Sequence, residues 1–240
     1  MIRIKCFGGE TMARRLMIMG GIFVLLLAFS QILLPFAISD VIGAAMTKLT
    51  SADKVEAKAE KSPAIMMLAG KFDTISVKAT GAKTDKIVFD EFDIKLNNVH
   101  VDMASLIQNR SLTMKSVDDV TIKAVISEAE LARTINQTVK GAKNAEVSIT
   151  PEKVTATSRL SMGGLVNAKV ILEGKFVSTD HTIIFHTEHF QIDNSMMGKF
   201  GGVLLTDITL IDLKKLPFDV TVKNISLEQG KAVVYAESHR

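Results

Sequence analysis

Residues 16–38 are apolar almost without interruption, with only Ser30, Gln31 and Pro35 off the pattern. The run is about 23 residues long, and roughly 20 apolar residues suffice for a helix to cross the hydrocarbon core of a bilayer. Length and composition therefore predict a membrane-spanning helix. Arg3, Lys5, Arg14 and Arg15 all precede it, and an excess of positive charge on one flank predicts that this flank stays in the cytoplasm. Three zones follow: a cytoplasmic tail over 1–15, the apolar segment over 16–38, and an extracytoplasmic domain over 40–240. A secretory signal has the same basic start but a shorter apolar core and small residues before the cut. Ala28-Phe29-Ser30 offers such a site weakly, so retained anchor and cleaved signal both stand, with the length of the run favouring the anchor. A buried core helix is the third reading, and the lack of a polar face counts against it.

Behind Pro35 the pattern becomes amphipathic. Phe36, Ile38, Val41, Ile42, Ala45, Met46 and Leu49 form a helical stripe that continues the apolar helix past the proline. The polar stretch TSADKVEAKAEKSP, residues 50–63, reads as a loop or an exposed edge strand. From Ala64 the period falls to two. Phe72, Ile75 and Val77 are set against Asp73, Ser76 and Lys78, then Phe92, Ile94 and Leu96 against Asp93 and Lys95, which predicts strands with one wet face. The phase slips between Phe89 and Phe92, around Asp90-Glu91, as a bulge in a strongly bent strand would make it do. Val120, Ile122, Ala124 and Ile126 mark a further strand. Ser127 and Glu130 then have the spacing of a capping box, which predicts a helix with Leu131, Ile135 and Val139 as its buried stripe and Gly141 as its stop.

A second series of strands follows, and its clearest member is 165–177. There Val166, Ala168, Val170, Leu172, Gly174 and Phe176 alternate with Asn167, Lys169, Glu173 and Lys175. Residues 194–217 are Met- and Gly-rich and read as a short helix leading into a strand. The order hints at two similar halves, each of strands followed by a helix, without a convincing repeat. The class is α+β, dominated by long antiparallel strands.

Composition removes several functions. With 29 basic and 26 acidic residues the formal charge is +3, and the basic side chains are spread through the strands, so nucleic acid is not an expected partner. Trp is absent and Tyr235 is the one tyrosine, which leaves little for base stacking. The single Cys6 precedes the apolar segment, so the exported part folds without a disulfide. His186-Thr-Glu-His189 resembles a zinc motif, but that motif needs histidines four apart on a helix and these lie in a strand pattern. In a regular strand His186 and Glu188 share a face while His189 points to the other. None of the four Gly-Lys pairs is followed by Ser or Thr, as a phosphate-cradling loop requires, and no G-x-S-x-G elbow occurs. Asp90-Glu91 and Asp118-Asp119 are at most weak cation ligands. No catalytic residue, metal or cofactor is expected, and the protein reads as a non-enzyme.

Three landmarks occur in order: the N-terminal anchor; the strand that runs into Ser127-Glu-Ala-Glu-Leu131; and Leu213-Lys-Lys-Leu216-Pro217-Phe218 leading into a final hairpin with Gly230. In these the chain resembles the LmeA-like phospholipid-binding proteins of bacterial envelopes, over roughly residues 40–237. The resemblance implies a long-stranded, curved antiparallel sheet wrapped around one or two helices, similar to tubular lipid-binding domains, that holds a phospholipid in an apolar groove at the membrane. Val166, Val170, Leu172 and Phe176 are then the expected groove wall. Ser195–Gly202, with Met196, Met197 and Phe200, is the expected lid, because unbranched Met side chains adapt and the glycines free the backbone. The alternative is a structural envelope protein that binds a protein partner along an exposed sheet edge.

Overall fold

The computed structural model describes residues 9–83, 87–139, 141–162, 166–179, 181–192, 208–215 and 219–238. Helix α1 (Gly9–Thr50) runs for 42 residues with Pro35 inside it. Its first half stands clear of the domain: Leu16, Ile22, Phe29 and Ile32 are exposed, and its most apolar window is 0 % buried. This rules out the core-helix reading. The second half is a domain helix in which Ile38, Ile42, Ala45 and Met46 are buried. Phe36 and Leu49, expected on the same stripe, are exposed, because the domain covers only one side of the helix. At the junction Ser39 Oγ donates to the Pro35 carbonyl and accepts from Ala59 N at 2.9 Å. The Gln31 side chain accepts from Ala64 N at 3.0 Å.

The polar stretch after α1 forms the edge strand β1 (Lys54–Glu60). The period of two begins at Lys71, later than expected, since Ala64–Ala69 is a short 3-10 turn closed by Gly70 at φ +78°. Then come β2 (Lys71–Lys83), β3 (Val88–Val101), the short α2 (Met103–Asn109), β4 (Met114–Ser116), β5 (Asp119–Ser127), α3 (Glu128–Thr138), β6 (Ala142–Ile149), β7 (Val154–Met162), β8 (Val166–Thr179), β9 (Thr182–Ile192), β10 (Ile208–Asp212), β11 (Val220–Glu228) and β12 (Lys231–Ser238). All strand pairs are antiparallel, in two curled sheets. The first has the order β1-β2-β3-β5-β12-β11, with β4 on β3, and the second is the meander β10-β9-β8-β7-β6. The hinted pair of sequential halves is absent, because the last hairpin returns to the first sheet beside β5.

The phase slip between Phe89 and Phe92 is real, but it is not a bulge. Register with β2 is unbroken from Ala79↔Phe92 to Ala82↔Phe89, and β2 slips with it at Gly81, which has φ +67°. Both strands therefore bend together and keep Phe89 and Phe92 inside, where their rings stack at 5.3 Å. Of the capping box, one arm forms: Ser127 Oγ accepts from Glu130 N, while Ser127 N donates to Asp90 Oδ2 at 2.7 Å and not to Glu130. The Glu130 side chain is drawn to Arg133 instead.

The large core joins α1 and the first sheet to one end of the second sheet, through Ile149, Val154, Ile183 and Phe185. Gly230, at φ +82° in the last hairpin, ties the two sheets by donating to Ile149 O and accepting from Glu128 N. A smaller cluster of Ala142, Leu160 and Val170 forms the far end.

Lys61 and Asp73 pair at 2.6 Å beside the 3-10 turn. Hydrogen bonds from Lys61 Nζ and then from Ser62 N hold the Asp73 carboxyl below its usual value. A carboxylate with a lowered folded pKa stabilises above its unfolded value, about 3.9, and that contribution is lost as pH falls through the folded value. Asp73→Asn is thus expected to lower the melting temperature slightly at neutral pH, and the difference from the parent is expected to vanish as the pH falls through the folded value of Asp73. Equal melting curves at pH 7 would show that the pair contributes nothing.

Candidate functional site

Between the two core clusters lies an apolar slot. Strand β5 delivers Ser127 to the start of α3, and Glu128 Oε1 accepts from Ile149 N at 2.7 Å, which pins the first turn of the helix to β6. The helix then presents Leu131, Thr134 and Ile135 to the slot, and Val139, which caps its C-terminus, joins them. The opposite wall comes from β7 (Val154, Ala156, Ser158, Leu160), β8 (Val170, Leu172, Phe176) and Phe185 of β9, with Ala142 and Val147 of β6 closing the side. The room it offers a water-sized sphere is about 50 Å³, and all the empty space between the walls, open mouth included, is about 700 Å³. It is a narrow slot between α3 and the sheet.

Its chemistry is uniform. Thr134 and Ser158 are the polar members of the lining, and both hydroxyls are committed, to Glu130 O at 2.9 Å and to Lys143 O at 3.3 Å. Among the described residues no charged side chain lines it. An ion or an unpaired polar group placed here would lose its hydration without replacement, whereas a hydrocarbon chain gains on entry.

Gly174 shapes the middle of the sheet wall. A Cβ there would lie 2.1 Å from the His186 carbonyl oxygen and 2.9 Å from Phe185 Cζ. The β8–β9 register shifts at this place, between Glu173↔His189 and Gly174↔Thr187. The close approach lets the Phe185 ring lie over the glycine and meet Phe176 edge-on, with centroids 6.0 Å apart. Thr187, buried on β9, has no partner for its hydroxyl among the described residues.

Of the residues expected on the wall, Val170, Leu172 and Phe176 line the slot. Val166 begins β8, but its side chain lies outside the described residues, and so do Met196, Met197 and Phe200 with the expected lid and its short helix. Sequence reasoning found Leu131, Ile135 and Val139 as a helix stripe without assigning them to the site, and it missed the β7 face. The alternation of Val154, Ala156, Ser158 and Leu160 was the available signal, obscured by its small and polar members.

The β8–β9 bulge also changes the histidine cluster. His186, Glu188 and His189 are all exposed, so His189 does not point inward as a regular strand would have it. Glu188 pairs with Lys175 at 3.0 Å and Glu173 with Lys153 at 2.7 Å. The Lys153 hydrogen bond holds the Glu173 carboxyl below its usual value. Among the described residues no group of three or more His, Cys, Asp and Glu side chains is arranged to hold a metal ion. Chelator treatment is therefore expected to leave the melting temperature unchanged, and a fall of several degrees would contradict this.

The fold and the slot together define an α+β protein with an internal site suited to an apolar ligand. The chain belongs to the LmeA-like phospholipid-binding family, whose model matches residues 32–237. Among curated proteins and solved structures nothing matches significantly.

Proposed function

We propose that the slot takes an acyl chain of a phospholipid, that the headgroup stays at the mouth, and that α1 keeps the domain at the membrane on its non-cytoplasmic side. The observation that carries this reading is a lining without charge among the described residues, in a chain that belongs to a phospholipid-binding family. Each buried methylene contributes about 0.8 kcal/mol, so half an acyl chain supplies several kcal/mol, which is enough to offset parting α3 from β7 and β8. The residues that would yield are those packed least tightly, namely Ile135, Val139, Leu172 and Phe176, which are only partly buried. The curled sheets around helices fit a tubular lipid-binding architecture, and moving lipid for envelope upkeep is the role such a tethered site suits. No enzymatic step belongs to the proposal.

Organic extraction of the purified full chain, followed by mass spectrometry, tests the ligand. About one phospholipid per chain is expected; a lipid-free protein that also refuses added lipid favours the structural alternative. Against that alternative stands β1, whose exposed edge carries Lys54, Glu56, Lys58 and Glu60 paired along the strand, a pattern that discourages further strand pairing. For the anchor, the mass of the mature protein decides. Retention of 16–38 is expected, and a new N-terminus near Gln31 would show a cleaved signal.

A further inference from the structure

The 3-10 turn Ala64–Ala69 turns two large apolar side chains outward. Ile65 and Leu68 are 44 % and 56 % exposed, although Ala64 and Met67 on the other side of the turn are buried. Residues 62–70 carry no charge, while Lys61 and Lys71 stand at the two ends. The turn is fixed to α1 by the bond from Ala64 N to Gln31 Oε1, so its height along the helix is known. At about 1.5 Å per residue, Gln31 stands about 24 Å beyond Arg15. The hydrocarbon of a bilayer is roughly 30 Å thick. With the arginines at the cytoplasmic boundary, the turn arrives at the level of the outer leaflet and not above it.

Backbone bonding fits such a position. Lipid offers no partner for a bare N–H, so a segment that enters it must satisfy its donors internally. Here Met66 N donates to Pro63 O, Gly70 N to Met67 O, and Ala64 N to the glutamine of the span itself. Lys71, exposed at one end of the turn, can extend its stem toward the surface and keep its ammonium group among lipid headgroups, while the charge of Lys61 at the other end is matched by Asp73.

We propose that the turn 64–69 is a second membrane contact, which inserts Ile65 and Leu68 into the outer leaflet beside α1 and so holds the domain at a fixed attitude on the lipid surface. The partner is the bilayer itself, chosen because the turn is bonded to a helix whose neighbouring residues Phe29, Ile32 and Leu33 are exposed and apolar. A single helix would let the domain swing; a helix with a side wedge does not. The inference rests on the reading of α1 as a retained span.

The test uses the full chain with Cys6→Ser and one new cysteine at Ile65, Leu68, Leu25 or Ser178, each carrying an environment-sensitive fluorophore. The proteins are reconstituted in vesicles of phosphatidylethanolamine and phosphatidylglycerol, with or without nitroxide-labelled acyl chains. The Ile65 and Leu68 positions are exposed, so labelling them leaves the core intact. Blue-shifted emission at both, quenched several-fold more than at Ser178 on the exposed end of β8, is expected. Quenching at Leu25 with Ile65 and Leu68 behaving like Ser178 overturns the wedge and leaves the anchor standing. No quenching at Leu25 overturns the anchor and the wedge with it.

Discussion

Val170→Trp is expected to abolish lipid binding while the domain stays folded. Val170 is 3 % exposed and stands on the sheet wall of the slot, facing α3. An indole has no room in a 50 Å³ cavity unless it occupies the path along which α3 parts from the sheet, and that path is the one an acyl chain needs. Displacing even four methylenes removes about 3 kcal/mol of binding, a loss of more than a hundredfold. The stability cost is that of overpacking, about 1–3 kcal/mol, or a fall of several degrees in melting temperature for a chain of this length. Ala156→Phe, from the neighbouring strand β7, approaches the same space from a second direction and should act alike. Lipid uptake that survives in both variants would place the ligand elsewhere. If both variants unfold outright, the slot is ordinary close-packed core.

Gly174→Val is expected to be the most destabilising single change in the second sheet. The new Cβ would meet a backbone oxygen, His186 O, at 2.1 Å, and a carbonyl held in a strand ladder cannot rotate away as a side chain can. Relief requires β8 and β9 to separate at their bulge, which costs about 3 kcal/mol or more. The Phe185 ring would also lose its seat and swing into the slot, so binding should fall with stability. Gly174→Ala meets the same oxygen and should cause most of the loss. A melting temperature within a degree of the parent for either variant would show that the strands adjust freely here.

Much of this fold was legible because its strands are long and wet on one side. The alternation in 165–177 located β8 and its inward residues Val170, Leu172 and Phe176, and the stripe from Ile38 to Met46 located the domain half of α1. What periodicity cannot express is pairing. Nothing in KAVVYAES says that β12 inserts beside β5, so the return of the last hairpin and the division into two sheets were invisible. Helix α2 was missed because seven residues with one fully buried side chain, Leu106, have no period to detect; its Asp102 cap was the one signal. Position 174 was legible as an inward residue but not as a near-contact with His186 O, which exists only once β9 is in place. The slot itself was half visible. Its helix stripe and one strand were found separately, and only the fold shows them face to face.

The most direct test of the central claim is photolabelling of the purified full chain with a phospholipid that carries a diazirine in the distal half of one acyl chain. Competition with unlabelled phospholipid would define the saturable sites, and peptide mass spectrometry would locate them. Saturable labels are expected on α3 and its C-terminal cap, within 131–139, and on the facing strands within 154–160 and 170–176. Labels confined to the exposed apolar half of α1, or none that unlabelled phospholipid competes away, would contradict it.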